Sequence, residues 1–322
     1  MSSSMEEKLE KIVSGAKLIG ISGHVHPDGD CVGAVLGCTL YLKKVLGDSV
    51  QIYSYLEGIS KSLSMLNGLE NIDTEYHFPD RPFDLFISLD CGSSDRLGRC
   101  EKAFLEANGK IVFDHHITNA GFGDVNFVYP SASSTCEVLF DFLDEKQIDL
   151  SIAEALYVGI MHDTGVFKYS CTSERTMCIV GRLMSKGIDT ADLIDRTYFI
   201  KSFLQLKTLG FALNKAKLGL DGKLISTVLT LNDLEKLGAT ASDTESIVSQ
   251  IRTTEGVEVA VFIREDEPGL YKFSLRSNGK VDVAGIAASF GGGGHKLAAG
   301  FSIKADLDET FTQISAMVMF QL

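Results

Sequence analysis

Three short β-rich runs in this chain each end in aspartate or histidine, side chains able to ligate a metal ion. Lys17–Gly23 leads into Gly23-His24-Val25-His26-Pro27-Asp28-Gly29-Asp30. Asp84–Asp90 closes on Leu89-Asp90-Cys91-Gly92, and Lys110–Asp114 closes on Phe113-Asp114-His115-His116. Between them lie a helical pattern over Asp30–Leu46, a further strand-like run over Val50–Tyr55 and a helical stretch over Leu97–Asn108. Strands alternating with helices predict an α/β fold, a mostly parallel sheet flanked by helices. Open sheets of this kind bind ligands beyond the carboxyl ends of their strands. The fold would therefore aim Asp and His from three strands at one crevice.

Helical patterns then dominate: Ser134–Lys146, Ile152–His162, Glu174–Lys186 and Asp189–Tyr198. A stretch over 201–218 reads as a helical connector. Strand-like runs return at Leu224–Thr230, Val257–Arg264, Leu270–Arg276 and Ala298–Ile303, with helices near Asp243–Thr254, at Asp282–Phe290 and from Leu307. The second helix of this set runs into Gly291–Gly294. The pattern predicts residues 1–200 as one domain and 219–322 as a smaller α/β domain. A chain of 322 residues, 45% hydrophobic, suits two domains.

Composition narrows the function classes. No apolar run of about 18 residues predicts a transmembrane helix. The polar N-terminus lacks the apolar segment of a signal peptide. A cytoplasmic protein with no membrane partner is expected. Seven cysteines, odd in number and without a CxxC pair, argue against a disulfide framework or zinc knuckle. Thirty basic against 43 acidic side chains give a net charge of −13. Long duplex nucleic acid is repelled by such a surface, whereas hard divalent cations want oxygen ligands.

Each candidate has a structural alternative. Asp30 is also a candidate cap of the helix after it, and Asp90 could begin a turn. Histidine is scarce, however. Six of the seven lie in four short motifs: His24 and His26, His115 and His116, His162 beside Asp163, and His295 after the glycines. Only His77 stands apart. Carboxylate and imidazole ligands without thiolate suit Mn²⁺, Mg²⁺, Fe²⁺ or Zn²⁺. The expected product is a two-metal site that polarises a phosphoryl oxygen and acidifies a bound water.

The motifs His24-x-x-x-Asp28-x-Asp30, Asp90, Asp114-His115-His116 and Asp163 in Gly159-Ile-Met-His-Asp163-Thr-Gly-Val-Phe resemble, in order, those of the DHH phosphoesterase superfamily. Gly291–Gly294 followed by His295-Lys-Leu-Ala-Ala-Gly300 resembles the signature of its commoner associated C-terminal domain. The resemblance implies one cation on His24, Asp28 and Asp90 and a second on Asp30, Asp90, His115 and Asp163, with Asp90 shared. Mn²⁺ is the implied ion, with Mg²⁺ as the alternative. His116 would face the phosphate or donate a proton, with Asp114 orienting the histidines. Arg96 could reach a phosphate or pair with an acid such as Asp95, and Asn119 could contact substrate or cap a turn. Arg276, Ser277, Gly293, Gly294 and His295 would grip the substrate's phosphate, with glycine amides cradling an anion.

Compact members of this layout resemble the group with oligoribonuclease and 3′-phosphoadenosine 5′-phosphate (pAp) phosphatase activity. The leading expectation is hydrolysis of pAp and of oligonucleotides of two to about five residues in a cleft. A cyclic di-AMP or pApA phosphodiesterase is the alternative. Less favoured are an exopolyphosphatase, a pyrophosphatase or a non-catalytic nucleotide-binding protein. The resemblance leaves a homodimer open.

Overall fold

The computed structural model describes residues 8–322; residues 1–7 of the polar N-terminus lie outside them. The chain divides after Ile200 into two units.

The first unit carries six strands: β1 (Leu18–Ser22), β2 (Gln51–Tyr55), β3 (Ile72–Asp73), β4 (Leu85–Leu89), β5 (Lys110–Asp114) and β6 (Val125–Val128). They form one sheet in the order β3-β2-β1-β4-β5-β6, and every pairing is parallel. Its helices are α1 (Leu9–Ile12), α2 (Gly29–Leu46), α3 (Glu101–Glu106), α4 (Thr135–Phe142), α5 (Leu150–Asp163), α6 (Glu174–Met184) and α7 (Thr190–Ile194). Strand β1 lies between β2 and β4, so the chain order reverses there, and ligand crevices form at such a switch point.

Helix α2 is apolar nearly all round because it is buried between the sheet and α5. Glycines permit the close approach. A Cβ on Gly33 would lie 2.4 Å from the Ala155 carbonyl oxygen, and one on Gly159 would lie 2.3 Å from Cys136 Sγ. The cap of α2 is Asp28, whose Oδ1 accepts from the N–H groups of Asp30 and Cys31, both at 3.1 Å. Asp30, the candidate cap in the sequence, lies inside the first turn instead.

The second unit contains α8 (Phe203–Lys215), β7 (Lys217–Gly219), β8 (Leu224–Leu229), α9 (Leu231–Leu237), α10 (Ile247–Arg252), β9 (Val259–Glu267), β10 (Leu270–Ser277), α11 (Val283–Ala288), β11 (Gly293–His295), β12 (Ala298–Lys304) and α12 (Leu307–Gln321). Its sheet runs β11-β12-β10-β9-β8-β7, with only β8 and β9 parallel. One face packs Val261, Phe273, Leu275 and Phe301 against Ile286, Ile314 and Val318. The other packs Ile225, Ala260 and Phe262 against Ala212, Ile247 and Ile251. Helix α8, inside the stretch read as a connector, packs on this sheet: Thr227 donates its hydroxyl to the Ala212 carbonyl at 2.7 Å.

Other differences from the sequence reading are local. The helix expected over Leu97–Asn108 is a 3₁₀ turn, broken at Gly98 (φ 54°), followed by α3. The helix expected over Ser134–Lys146 stops at Phe142, and Leu143 is extended. Five of the seven cysteines are buried, all seven are free, and Cys171 and Cys178 are exposed. Among the described residues no helix is long and apolar enough to cross a membrane.

Candidate active site

The carboxyl ends of β1, β4 and β5 meet as the sequence pattern requires. Asp90 follows β4 with a left-handed backbone (φ 59°), held by its N–H donating to the Phe113 carbonyl at 3.0 Å. That conformation is sparsely populated for a residue other than glycine and clusters at functional sites. Here it turns a buried carboxylate, 2% exposed, toward histidines from both neighbouring strands. Asp90 Oδ2 lies 3.4 Å from His24 Nε2. Asp90 Oδ1 lies 3.7 Å from both His115 Nε2 and His116 Nδ1, and it accepts the Thr135 hydroxyl at 2.9 Å.

Around this centre stand two groups. His24 Nε2 is also 3.8 Å from Asp28 Oδ1. The Cys31 thiol joins His24 and Asp90 in one set of close donor atoms, while Asp30, His115 and Asp163 form another. His115 Nε2 and Asp163 Oδ2 are 3.1 Å apart. Asp30 is fully buried, and its two oxygens accept the backbone N–H groups of Thr135 (2.6 Å) and Cys136 (3.0 Å) at the start of α4.

The donor set fits divalent cations. The His24 ring places Nδ1 2.9 Å from the Val25 carbonyl oxygen, which suits an Nδ1–H donor and turns Nε2 toward Asp28 and Asp90; burial opposes a charged ring there, but the two carboxylates outweigh it and raise the ring's pKa. Those carboxylates stand beyond good hydrogen-bond length, so a cation is the natural partner of all three groups. Protonation states respond to the same crowding. Burial, then the charges of Asp90 and Asp163, raise the Asp30 carboxyl well above its ordinary range. Burial raises Asp163 too, against the pull of His115. Burial opposes a charged ring at His115, but Asp163, Asp30 and Asp90 overcome it and raise its pKa to about 10. Burial pushes the Cys31 thiol up to about 12, which leaves a poor ligand beside the carboxylates.

Asp114 and His116 form a separate pair. His116 Nδ1–H donates to Asp114 Oδ1 at 2.7 Å, leaving Nε2 as the outward nitrogen. The hydrogen bond to Asp114 raises His116. Burial opposes ionisation of Asp114, but His116 and Asn119 outweigh it and hold the carboxyl low. Asn119, expected to contact substrate or to cap a turn, makes the hydrogen bonds of a turn cap and holds Asp114. Its Nδ2 donates to Asp114 Oδ2 (2.7 Å) and to the Cys91 carbonyl (2.9 Å), and its Oδ1 accepts from Gly121 N–H. Arg96 lies beside the first histidine, with Nη2 3.4 Å from His24 Nδ1 and 3.5 Å from the Val25 carbonyl oxygen. His162 packs edge-on against Tyr198 and against Gly29, where a Cβ would lie 2.2 Å from the ring. His77 sits on Asp73, and His26 is exposed in a left-handed turn (φ 56°).

In the second unit Arg276, Ala298 and His295 are direct cross-strand partners on β10, β12 and β11. Opposed residues share a face, so Arg276 and His295 point to one side with only an alanine between them. The glycines do not form a flexible loop: Gly293 and Gly294 pair with Gly300 and Ala299. A Cβ on Gly294 (φ 144°) would lie 2.4 Å from the Ala298 carbonyl oxygen. Ser277 is a correction to the expected substrate contacts. Neighbours on a strand face opposite sides; Ser277 is buried, 2% exposed, and its hydroxyl donates to Glu258 at 3.3 Å.

Thr135 and Cys31 were not anticipated. Thr135 is invisible to motif reading because its partners lie 45 and 105 residues away. Ser134-x-x-Glu137 does mark the helix start beside it, and Ser134 accepts from Glu137 N–H at 3.0 Å.

Residues 18–160 match the DHH family, N-terminal domain, and residues 221–319 match the DHHA1 domain. The chain is 31% identical to the bifunctional oligoribonuclease and PAP phosphatase NrnA of Thermus thermophilus, over 94% of this chain and 90% of the relative. It is 29% identical to the protein of the same name from Bacillus subtilis, over 93% of each. A solved exopolyphosphatase-related protein from Bacteroides fragilis superposes with a TM-score of 0.87 at 26% identity, covering 96% of this chain and 94% of that one.

Proposed function

The chain belongs to the DHH family, and from that premise we propose that it hydrolyses phosphoester bonds in pAp and in oligonucleotides of a few residues. Relatives named for both activities align over nearly the whole chain, which supports the substrate class. The observation that carries the chemistry is the shared carboxylate: Asp90 faces His24 through one oxygen and His115 through the other. In this reading His24, Asp28 and Asp90 hold one divalent cation, and Asp30, Asp90, His115 and Asp163 hold a second. Mn²⁺ is the ion we propose, in a cytoplasmic enzyme. Bound cations would neutralise phosphoryl charge and supply an acidified water.

The remaining roles belong to the chain itself. Asp114 fixes the tautomer of His116 and favours its protonated form, a ring whose Nε2 is then suited to donate to a phosphate or leaving oxygen. Asn119 holds Asp114 in place. Arg96 is suited to a non-bridging oxygen. Residues 219–322 form the substrate-binding domain, where Arg276 and His295 grip a phosphate and Gly294 lets its strand pass close to Ala298.

Purified protein incubated with Mn²⁺ and, separately, pApA, pAp, cyclic di-AMP and pyrophosphate tests this. Release of AMP from pApA and pAp is expected. Turnover of pyrophosphate alone would contradict the proposal.

A further inference from the structure

Thr135 touches both buried carboxylates of the candidate metal centre at once. Its hydroxyl donates to Asp90 Oδ1 at 2.9 Å, and its N–H donates to Asp30 Oδ2 at 2.6 Å. The residue is fully buried, as is Asp30. The hydroxyl has a defined consequence. Asp90 must present one oxygen to His24 and the other to His115, and rotation about its terminal torsion is soft for a carboxylate. A donor fixed on Oδ1 selects one orientation and leaves that oxygen a free lone pair.

The donor is itself immobilised. Two residues on, Glu137 is buried, 1% exposed. Its Oε2 accepts the hydroxyls of Ser133 (2.5 Å) and Thr176 (2.7 Å), and its Oε1 accepts from Arg175 Nε (3.2 Å). This network ties the start of α4 to α6 and so holds the backbone that carries the Thr135 hydroxyl beside Asp90. Outer partners of ligating carboxylates commonly fix ligand orientation in this way.

We propose that Thr135 is a positioning residue that sets the orientation of Asp90 between two cation sites and so sets cation affinity. The proposal rests on the two-cation reading above. Its test is calorimetric titration of Mn²⁺ into metal-free wild type, Thr135→Val and Thr135→Ser, with thermal melting of each metal-free protein. Thr135→Val keeps size and the backbone N–H but loses the donor. Its Mn²⁺ affinity is expected to fall about tenfold or more, the scale of one hydrogen bond to a charged group, while Thr135→Ser stays within about threefold of wild type, because the hydroxyl remains. Wild-type affinity in Thr135→Val, or an equal loss in Thr135→Ser, overturns the role assigned to the hydroxyl and leaves the cation reading standing. A wild-type protein that takes up no Mn²⁺ overturns both.

Discussion

Asp30 and Thr135 lie 105 residues apart in the chain, yet the Thr135 backbone N–H donates to Asp30 Oδ2 at 2.6 Å. The start of α4 thereby holds a carboxylate that water cannot reach, next to Asp90 and Asp163. Burial and those two neighbours raise the Asp30 carboxyl, and burial raises Asp163. A carboxyl raised in the folded state subtracts stability at pH values above its unfolded pKa, about 3.9. At neutral pH the Asp30 and Asp163 carboxyls therefore work against folding, the raised His115 works for it, and cations that bind only the folded chain add stability by mass action. Saturating Mn²⁺ is expected to raise Tm by about 5 °C or more over protein in EDTA. Identical melting curves in Mn²⁺ and EDTA would refute this.

Asp114→Asn should lower kcat by about 10–100-fold, the usual effect of losing a group that orients an active-site histidine. KM should change little, because the pair acts on His116 Nδ1 and not on the phosphate grip. A rise in KM with unchanged kcat would count against the tautomer-fixing role.

Arg276 and Ser277 are adjacent but face opposite ways, so the proposed phosphate grip involves the first and not the second. Arg276→Ala should raise KM for pApA about tenfold or more, as loss of a charged phosphate contact does. Ser277→Ala should leave KM unchanged and cost about 1 kcal/mol of stability through the hydrogen bond to Glu258. Steady-state kinetics and urea melts on the two variants decide the matter.

Acid sensitivity should depend on Asp84, which sits far from the chemistry. Arg81 pairs with it at 2.9 Å, and the N–H groups of Lys17 and Leu18 donate to it at 2.9 Å each. Arg81 first, then those backbone donors, lower its carboxyl. A carboxyl lowered in the folded state contributes stability above its unfolded pKa and loses it as pH falls through the folded value. As pH falls below about 5, Tm should fall more steeply in wild type than in Asp84→Asn. Parallel curves would show that Asp84 is uninvolved.

The sequence made the site legible where local pattern carries the information. His24, Asp90 and His115 follow short apolar runs, and a run of that kind buried in a parallel sheet can only aim its end at the crevice. Strands β3 and β6 were missed because the first has two residues and the second is a half-exposed edge. Ser277, grouped with Arg276 by the family resemblance, is buried on the other side because side chains alternate along a strand. The pairing of Gly293 and Gly294 with β12 had no local signal, since a run of glycines carries no alternation of side chains to mark a strand. Thr135 had no local signal because hydrogen bonds across 45 and 105 residues define its contacts.

The central claim is that Asp90 is the ligand shared by two cations in a phosphoesterase site. Its most direct test is AMP release from pApA by Asp90→Ala in saturating Mn²⁺, measured beside wild type and with circular dichroism showing a folded variant. The expected result is activity in the wild type and none detectable in the variant. Turnover by folded Asp90→Ala near the wild-type rate would contradict it.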